Sequence, residues 1–375
     1  MLDFKFVCGN PDAVKESLAR TGADTAVIDQ IKYLYENNRM DEASELLGTV
    51  RNLPDRGVPD GATDADNGVV RTIGQIREYG FTPRSHLDLG ERLHILDMAR
   101  GKKVSGDRFY FLSGAGAALQ RALVNWMLDL HVNEHGYTEI CPPYVTGEKS
   151  LYESAYLPKS KYKLYKLEDS DLWLVPTAEV PLTSMYRDEV LEGTDLPLKY
   201  AALTSCFRRE PDYEGQDLFG LRRGHQFEKI ELMKMTRPEQ SDAELYSLLD
   251  DAEDICRRLE IPYRVVAVCA GMSSFVATTQ YDIEVSAPVS GNGPEGDRWL
   301  EVSSCSNIRD FQARRANIRY TDAGGSEQLV HTVNGSGVGL PRLLIAILEN
   351  YQNEDGSVTI PTVLRPYMGG KELIA

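Results

Sequence analysis

The sequence lacks any apolar run approaching the roughly 20 residues needed to span a bilayer. Its start, Met1-Leu2-Asp3-Phe4, has neither the basic flank nor the apolar core of a signal peptide, so a cytoplasmic location is expected. Cysteine is sparse. The six residues (Cys8, Cys141, Cys206, Cys256, Cys269, Cys305) include no C-x-x-C pair and have no histidine at metal-ligand spacing. That spacing argues against a disulfide framework and a zinc site, and for buried thiols in a reducing compartment. Cys141, Cys206 and Cys305 lie in apolar, strand-like settings that suit small core residues. Basic charge is also short: 41 Lys and Arg against 57 Asp and Glu give a net charge of −16. Broad electrostatic binding of nucleic acid is therefore disfavoured, although a local basic face is not.

What is present is the composition of a soluble globular protein, 42% apolar, long enough for one large domain and a smaller one. Residues 1–56 read as a small helical region: a helix starting at Pro11 with Asn10 as cap, then two short helices between Thr25 and Leu47, broken near Asn37-Asn38-Arg39. Residues 57–69, rich in Gly, Pro and Asp, read as a linker. Residues 70–375 form the main domain. Within it, Leu119, Leu123, Trp126, Met127 and Leu130 make one apolar stripe, predicting a helix over 117–135 that Gly136 stops. A strand ending in Pro142-Pro143 follows. Strand-like runs at 263–269 and 281–285, with helices over 241–259 and 340–351, give an α+β chain with a largely antiparallel sheet.

The chemistry concentrates in four segments. Cys206-Phe207-Arg208-Arg209-Glu210 is followed by His225-Gln226-Phe227-Glu228-Lys229-Ile230-Glu231, two strand-like runs joined by a polar loop. An arginine, a carboxylate and an aromatic so arranged can meet a phosphate, an adenine amino group and the face of a base. Pro176-Thr177-Ala178-Glu179, Glu301-Val302-Ser303-Ser304-Cys305-Ser306-Asn307 and Asn334-Gly335-Ser336-Gly337-Val338-Gly339-Leu340-Pro341-Arg342 complete the set. Read in order, these motifs resemble the catalytic domain of class II aminoacyl-tRNA synthetases, and within that class the seryl-tRNA synthetase family, over residues 70–368.

The resemblance implies a class II antiparallel sheet flanked by helices, ATP and L-serine as substrates, tRNA as acceptor, Mg2+ as cofactor and a homodimer. Arg208 and Arg342 become the catalytic pair. ATP falls to Arg208, Glu210, Arg223, Phe227, Glu301, Ser304 and Arg342, with Glu301 and Ser304 holding the magnesium. Serine falls to Thr177, Glu179, Arg208, Glu231 and Ser336. Several of these residues also have blander readings. Each arginine suits a structural ion pair, Thr177-Ala178-Glu179 suits a helix cap, and the 117–135 stripe suits an ordinary core helix. His225 is expected to make a structural hydrogen bond. Gln312-Ala313-Arg314-Arg315 also resembles the family, but as a strand of alternating basic residues it is expected to be a solvated or loop-anchoring face outside the site.

Three departures stand out. Only about twenty-five residues separate Ile28 from Leu53, with no sustained heptads, so the family's coiled-coil tRNA arm is missing or reduced to a stub. The loop after Glu210 carries Asp212, Glu214 and Asp217 where the family has basic residues. Gly271-Met272-Ser273-Ser274-Phe275 also differs. A synthetase-like paralogue that passes serine to a carrier protein or small molecule, and a non-catalytic regulator, are the alternatives these departures raise.

Overall fold

Alternation of polar and apolar residues along the strands builds one large sheet with a wet face and a dry face. The computed structural model describes residues 1–211, 215–218, 220–293 and 298–375. The sheet's strands are β1 (Gly68–Ile73), β2 (Thr138–Glu139), β3 (Leu198–Phe207), β4 (Gln226–Thr236), β5 (Tyr263–Ala267), β6 (Thr279–Ser286), β7 (Trp299–Arg309) and β8 (His331–Gly339). Their spatial order is β1-β5-β6-β7-β8-β4-β3-β2. Every pair is antiparallel except β2 with β3. This is the expected α+β class, with β1 starting at Gly68 inside the segment read as a linker.

Four short helices open the chain: α1 (Phe4–Gly9), α2 (Pro11–Ala19), α3 (Ala26–Glu36) and α4 (Met40–Gly48). The main domain adds α5 (Ala115–Asn133), α6 (Glu179–Ser184), α7 (Ser241–Arg258), α8 (Phe311–Ala316) and α9 (Leu340–Asn350). The dry face of the sheet, with Ile230, Leu232, Ile283, Val302 and Val333, forms the main core with α5, α7 and α9. Leu119, Leu123, Trp126, Met127 and Leu130 are all buried there, so the stripe on α5 is core within one chain. No helix among the described residues is long and apolar enough to cross a membrane.

Local chemistry departs from expectation in places. Pro11 sits in the first turn of α2 and Asn10 at its N-cap position, as expected, but the Asn10 side chain makes no capping bond; its Nδ2 donates instead to Phe6 O of the preceding helix, at 3.1 Å. The strand before Pro142-Pro143 shrinks to β2, so Cys141 lies beyond it and is exposed, whereas Cys206 and Cys305 are buried as expected. Residues 312–315 lie in the helix α8 rather than a strand, with Gln312 and Arg315 buried; the loop-anchoring alternative holds for Arg315, whose guanidinium donates to Tyr152 O (2.9 Å) and Gly48 O (2.8 Å). The acidic residues Asp212 and Glu214 lie outside the described residues.

The opening helices dock on the main domain through an apolar cluster of Val7, Val14, Leu18, Ile28, Ile31 and Leu47 with Ile308 and Phe311. Polar clasps follow. Arg51 Nη2 donates to Ser273 O (2.9 Å) and Ser274 O (3.0 Å), and Asn52 Nδ2 donates to Val276 O (2.8 Å) and Ile308 O (2.9 Å). Ile31→Ala in this fully buried cluster is expected to lower unfolding stability by about 2–5 kcal/mol, read from the urea midpoint.

Candidate active site

On the wet face, alternate residues of neighbouring strands converge. β4 contributes Phe227, Lys229 and Glu231, spaced two apart and therefore on one side. β8 contributes Asn334 and Ser336, with Ser336 opposite Glu231 in register, and β7 contributes Ser304 and Ser306. Gly335 and Gly337 fall on the dry side, where no side chain fits. A Cβ on Gly335 would come within 2.7 Å of Leu248 Cδ2, and one on Gly337 within 2.9 Å of His131 Nε2. The glycines let β8 lie tightly on the core and turn Asn334 and Ser336 outward.

The result is a cavity of about 420 Å³, of a size that accepts a nucleotide-scale ligand. Glu179, Arg208, Glu210, Arg223, Phe227, Glu231, Glu301, Ser304, Ser336 and Arg342 all line it. Of the residues singled out in sequence, Thr177 alone is fully buried behind the wall. Arg222, Lys163 and Lys229 join the three arginines in the lining, a local concentration of cations in an acidic chain.

One end of the cavity is built around two carboxylates. Glu179 opens α6, and its Oε1 accepts a 2.7 Å hydrogen bond from Gln312 Nε2. Thr332 Oγ1 donates to Gln312 Oε1 at 2.9 Å, which fixes the amide with its NH2 toward the carboxylate. Glu231 accepts from Thr177 Oγ1 (2.8 Å) and Asn334 Nδ2 (3.4 Å) and pairs with Lys229. Thr177 Oγ1 also accepts the backbone N–H of Glu179 at 3.2 Å, although the N-cap position of α6 is Ala178 and carries no side-chain cap. Burial, and next the Glu231 carboxylate, push the Glu179 pKa from 4.5 up to about 7, against Lys229, Gln312 and Arg208.

Arg208 stands in the middle. Its N–H continues the β3–β4 pairing by donating to His225 O at 2.9 Å. Its Nε donates to Pro176 O at 3.0 Å, and its guanidinium lies 5.2 Å from the Phe227 ring centroid. Burial alone would lower its pKa, but Tyr156, Cys206, Glu210 and Glu231 outweigh that and hold it above its ordinary value. Arg208 is therefore a permanent cation flanked by carboxylates at both ends of the cleft.

The other end is richer in arginine. Arg342 Nη1 donates to Glu301 O at 2.8 Å and lies 3.1 Å from Glu301 Oε2. Arg223 Nη1 lies 3.8 Å from Glu210 Oε2. Burial opposes ionisation of Glu301, yet Arg342, Arg223 and Arg208 keep its pKa below the usual value. Across from it, burial and then Glu301 itself push Asp282 up to about 8, with Gln280 and Ser304 as hydrogen-bond partners.

His225 does not line the cavity. Its Nε2 accepts from Arg108 Nε (3.1 Å), which leaves Nδ1–H to donate to Arg208 O (2.9 Å), and burial lowers its pKa. It is a neutral brace for the strand end, as its surroundings in sequence implied. Lys229, Asn334 and Gln312 were missed by sequence reasoning. The period of two that places Phe227 and Glu231 inside also places Lys229 there, so that signal was available. For Gln312 the only signal was the resemblance of its segment to the family, since its partner Glu179 is far away in the chain and no periodicity links the two.

A twisted antiparallel sheet with helices on its dry face and an arginine-rich cleft on its wet one defines a class II tRNA synthetase core. Residues 162–351 match the tRNA synthetase class II core domain family (G, H, P, S and T). Along its whole length the chain is 46% identical to the serine–tRNA ligase of Roseiflexus sp. (strain RS-1), covering 99% of that protein. It is 53% identical to that of Thermomicrobium roseum over 88% of this chain and 73% of the relative. The chain belongs to the serine–tRNA ligase family. Among solved structures, seryl-tRNA synthetase from Pyrococcus horikoshii complexed with ATP superposes with a TM-score of 0.92 at 33% identity, covering 100% of this chain and 99% of that one. The cytoplasmic serine–tRNA ligase of Naegleria fowleri in complex with AMP gives 0.91 at 28% identity, covering 100% and 98%. The Roseiflexus alignment runs over 428 positions although this chain has 375 residues, so that relative carries a stretch absent here. The longest of the opening helices, α3, has 11 residues, too few for a coiled-coil arm of several heptads.

Proposed function

We propose that this protein activates L-serine with ATP and transfers the seryl group to tRNA. The observation that carries the reading is one cavity in which Arg208 stands between the Glu179–Glu231 end and the Arg223–Glu301–Arg342 end. The amino-acid carboxylate attacks the α-phosphorus of ATP, a P–O bond forms, and pyrophosphate leaves with the electron pair of the broken bond. A tRNA hydroxyl then attacks the seryl carbonyl and AMP leaves. Such steps need positioning and charge stabilisation more than covalent help.

In this assignment Glu179 receives the serine ammonium, and Glu231, held by Thr177 and Asn334, receives the hydroxyl together with Ser336. A pocket built for a hydroxyl rejects alanine because its own polar groups are then left unpaired. Arg208 bridges the carboxylate and the α-phosphate, Phe227 carries the base, and Glu210 accepts from the adenine amino group. Arg223 and Arg342 offset the charge of the departing phosphates. The domain division at 57–69 and a homodimer remain part of the proposal, as does the cytoplasm as the place of work.

Magnesium fits the donor set: one carboxylate kept ionised by three arginines and one hydroxyl, both facing the cavity, suit a hard cation that retains most of its waters. Glu301 and Ser304 would hold it, and it would supply charge neutralisation at the phosphates. Glu301→Gln is expected to raise the magnesium concentration for half-maximal serine-dependent pyrophosphate exchange by roughly tenfold. An unchanged requirement would remove Glu301 from that role.

The reading is tested by transfer of labelled serine to total tRNA with ATP and magnesium. Acid-stable label on tRNA that is released by mild base is the expected result. Exchange of pyrophosphate without label on tRNA would move the acceptor to a carrier protein or small molecule, the reading that the shortened arm otherwise favours.

A further inference from the structure

We propose that residues 159–166 form a docking strip for the single-stranded 3′ end of an RNA at the mouth of the cavity. The inference rests on the reading of that cavity as a site that hands an activated amino acid to RNA. The segment Lys159-Ser160-Lys161-Tyr162-Lys163-Leu164-Tyr165-Lys166 holds four lysines and two tyrosines in eight residues, with no acid among them. In a chain of net charge −16 this is a sharp local reversal of sign.

The strip begins inside the site. Ser160 and Lys163 line the cavity, and Lys163 O accepts the backbone N–H of Arg209, neighbour of Arg208, at 2.9 Å. From there the exposed ammonium groups run outward. Lys159 Nζ lies 5.4 Å from the centroid of Phe275, itself a lining residue, and Lys161 and Lys166 lie 6.0 and 5.5 Å from that of Trp173. No carboxylate oxygen stands within 4 Å of Lys159, Lys161 or Lys166 among the described residues. These lysines are therefore propped on aromatic faces, and their charge is not neutralised within the described chain. Tyr162 is 52% exposed, and Lys163 Nζ lies 5.4 Å from the centroid of its ring.

Cations that follow a phosphate backbone, set among aromatic side chains, are the elements of single-strand recognition. The acidic turn of Glu168, Asp169 and Asp171 ends the strip just beyond Lys166. Lys159, Lys161 and Lys166, beside the mouth of the cavity, supply a contact to RNA close to the reacting centre.

The test uses the full chain and a fluorescein-labelled single-stranded RNA ending in CCA, with anisotropy followed between 50 and 200 mM salt. The parent is expected to bind, with affinity falling as salt rises. For K159A/K161A/K166A the slope of log affinity against log salt should shrink by about 2, at about 0.7 for each phosphate left without its cation, and binding should weaken roughly tenfold. The triple arginine variant should bind like the parent, and serine-dependent exchange should be unchanged in both. If the triple alanine variant unfolds, single alanine variants, each shifting the slope by about 0.7, decide the matter. An unchanged slope and affinity, failure of the parent to bind, or preference for an acidic peptide would each overturn the strip. Binding that depends on the lysines in a protein without exchange activity would leave the strip standing and remove the adenylating reading.

Discussion

Arg208→Ala is expected to lower serine-dependent pyrophosphate exchange by about 10³-fold, equivalent to about 4 kcal/mol of lost transition-state stabilisation. The size follows from its place. Arg208 is the cation between the two carboxylate-lined ends, its Nε fixed on Pro176 O and its charge held by four surrounding groups. No other arginine shares that position, since Arg223 and Arg342 are engaged with Glu210 and Glu301 at the phosphate end. Lysine should rescue little, because one ammonium cannot span a carboxylate and a phosphate as a planar fork does. The loss should fall on kcat more than on the KM for either substrate. A variant that keeps more than a tenth of the activity would refute the bridging role.

The second large effect is one of pH. Glu179 must be ionised to receive an ammonium group, yet its pKa in the free protein is about 7. The KM for serine should therefore be flat above about pH 8 and rise roughly tenfold for each unit below 7, because a proton then competes with the substrate. The KM for ATP should not follow. Glu179→Gln should raise the serine KM at every pH and flatten the profile. The same shift has a sign in stability. A carboxyl whose pKa is higher in the folded chain binds its proton more tightly there, so its contribution improves as pH falls from about 7 toward 4.5. A serine KM that rises equally in the glutamine variant would place the titrating group elsewhere.

Much of this site was legible because its motifs are local. Phe207 to Glu210 and His225 to Glu231 are neighbouring ends of β3 and β4, and the period of two along a strand says which of their side chains share a face. The Gly-rich run before Arg342 was legible as a segment, but the reason for its glycines was not. That reason lies in Leu248 and His131, which approach from α7 and α5 and belong to other parts of the chain. Gln312 failed for the same cause in stronger form. Its run of polar and basic residues reads as a solvated or loop-anchoring face, whereas the fold closes α8 against α6 and β8 and makes the amide a clamp on Glu179. Pairings that depend on tertiary approach leave no periodicity to read. Asn10 shows the limit on a smaller scale, since a good capping residue type was drawn instead to the last turn of α1.

The clasp of Arg51 and Asn52 on residues 273–276 reaches the cavity, because Ser274, Phe275 and Val276 are part of its wall. The amino-terminal helices thus act less as a handle for a distant ligand than as a buttress for the substrate chamber. Cutting the chain back to the main domain would take away the outer support of one chamber wall along with the helices themselves.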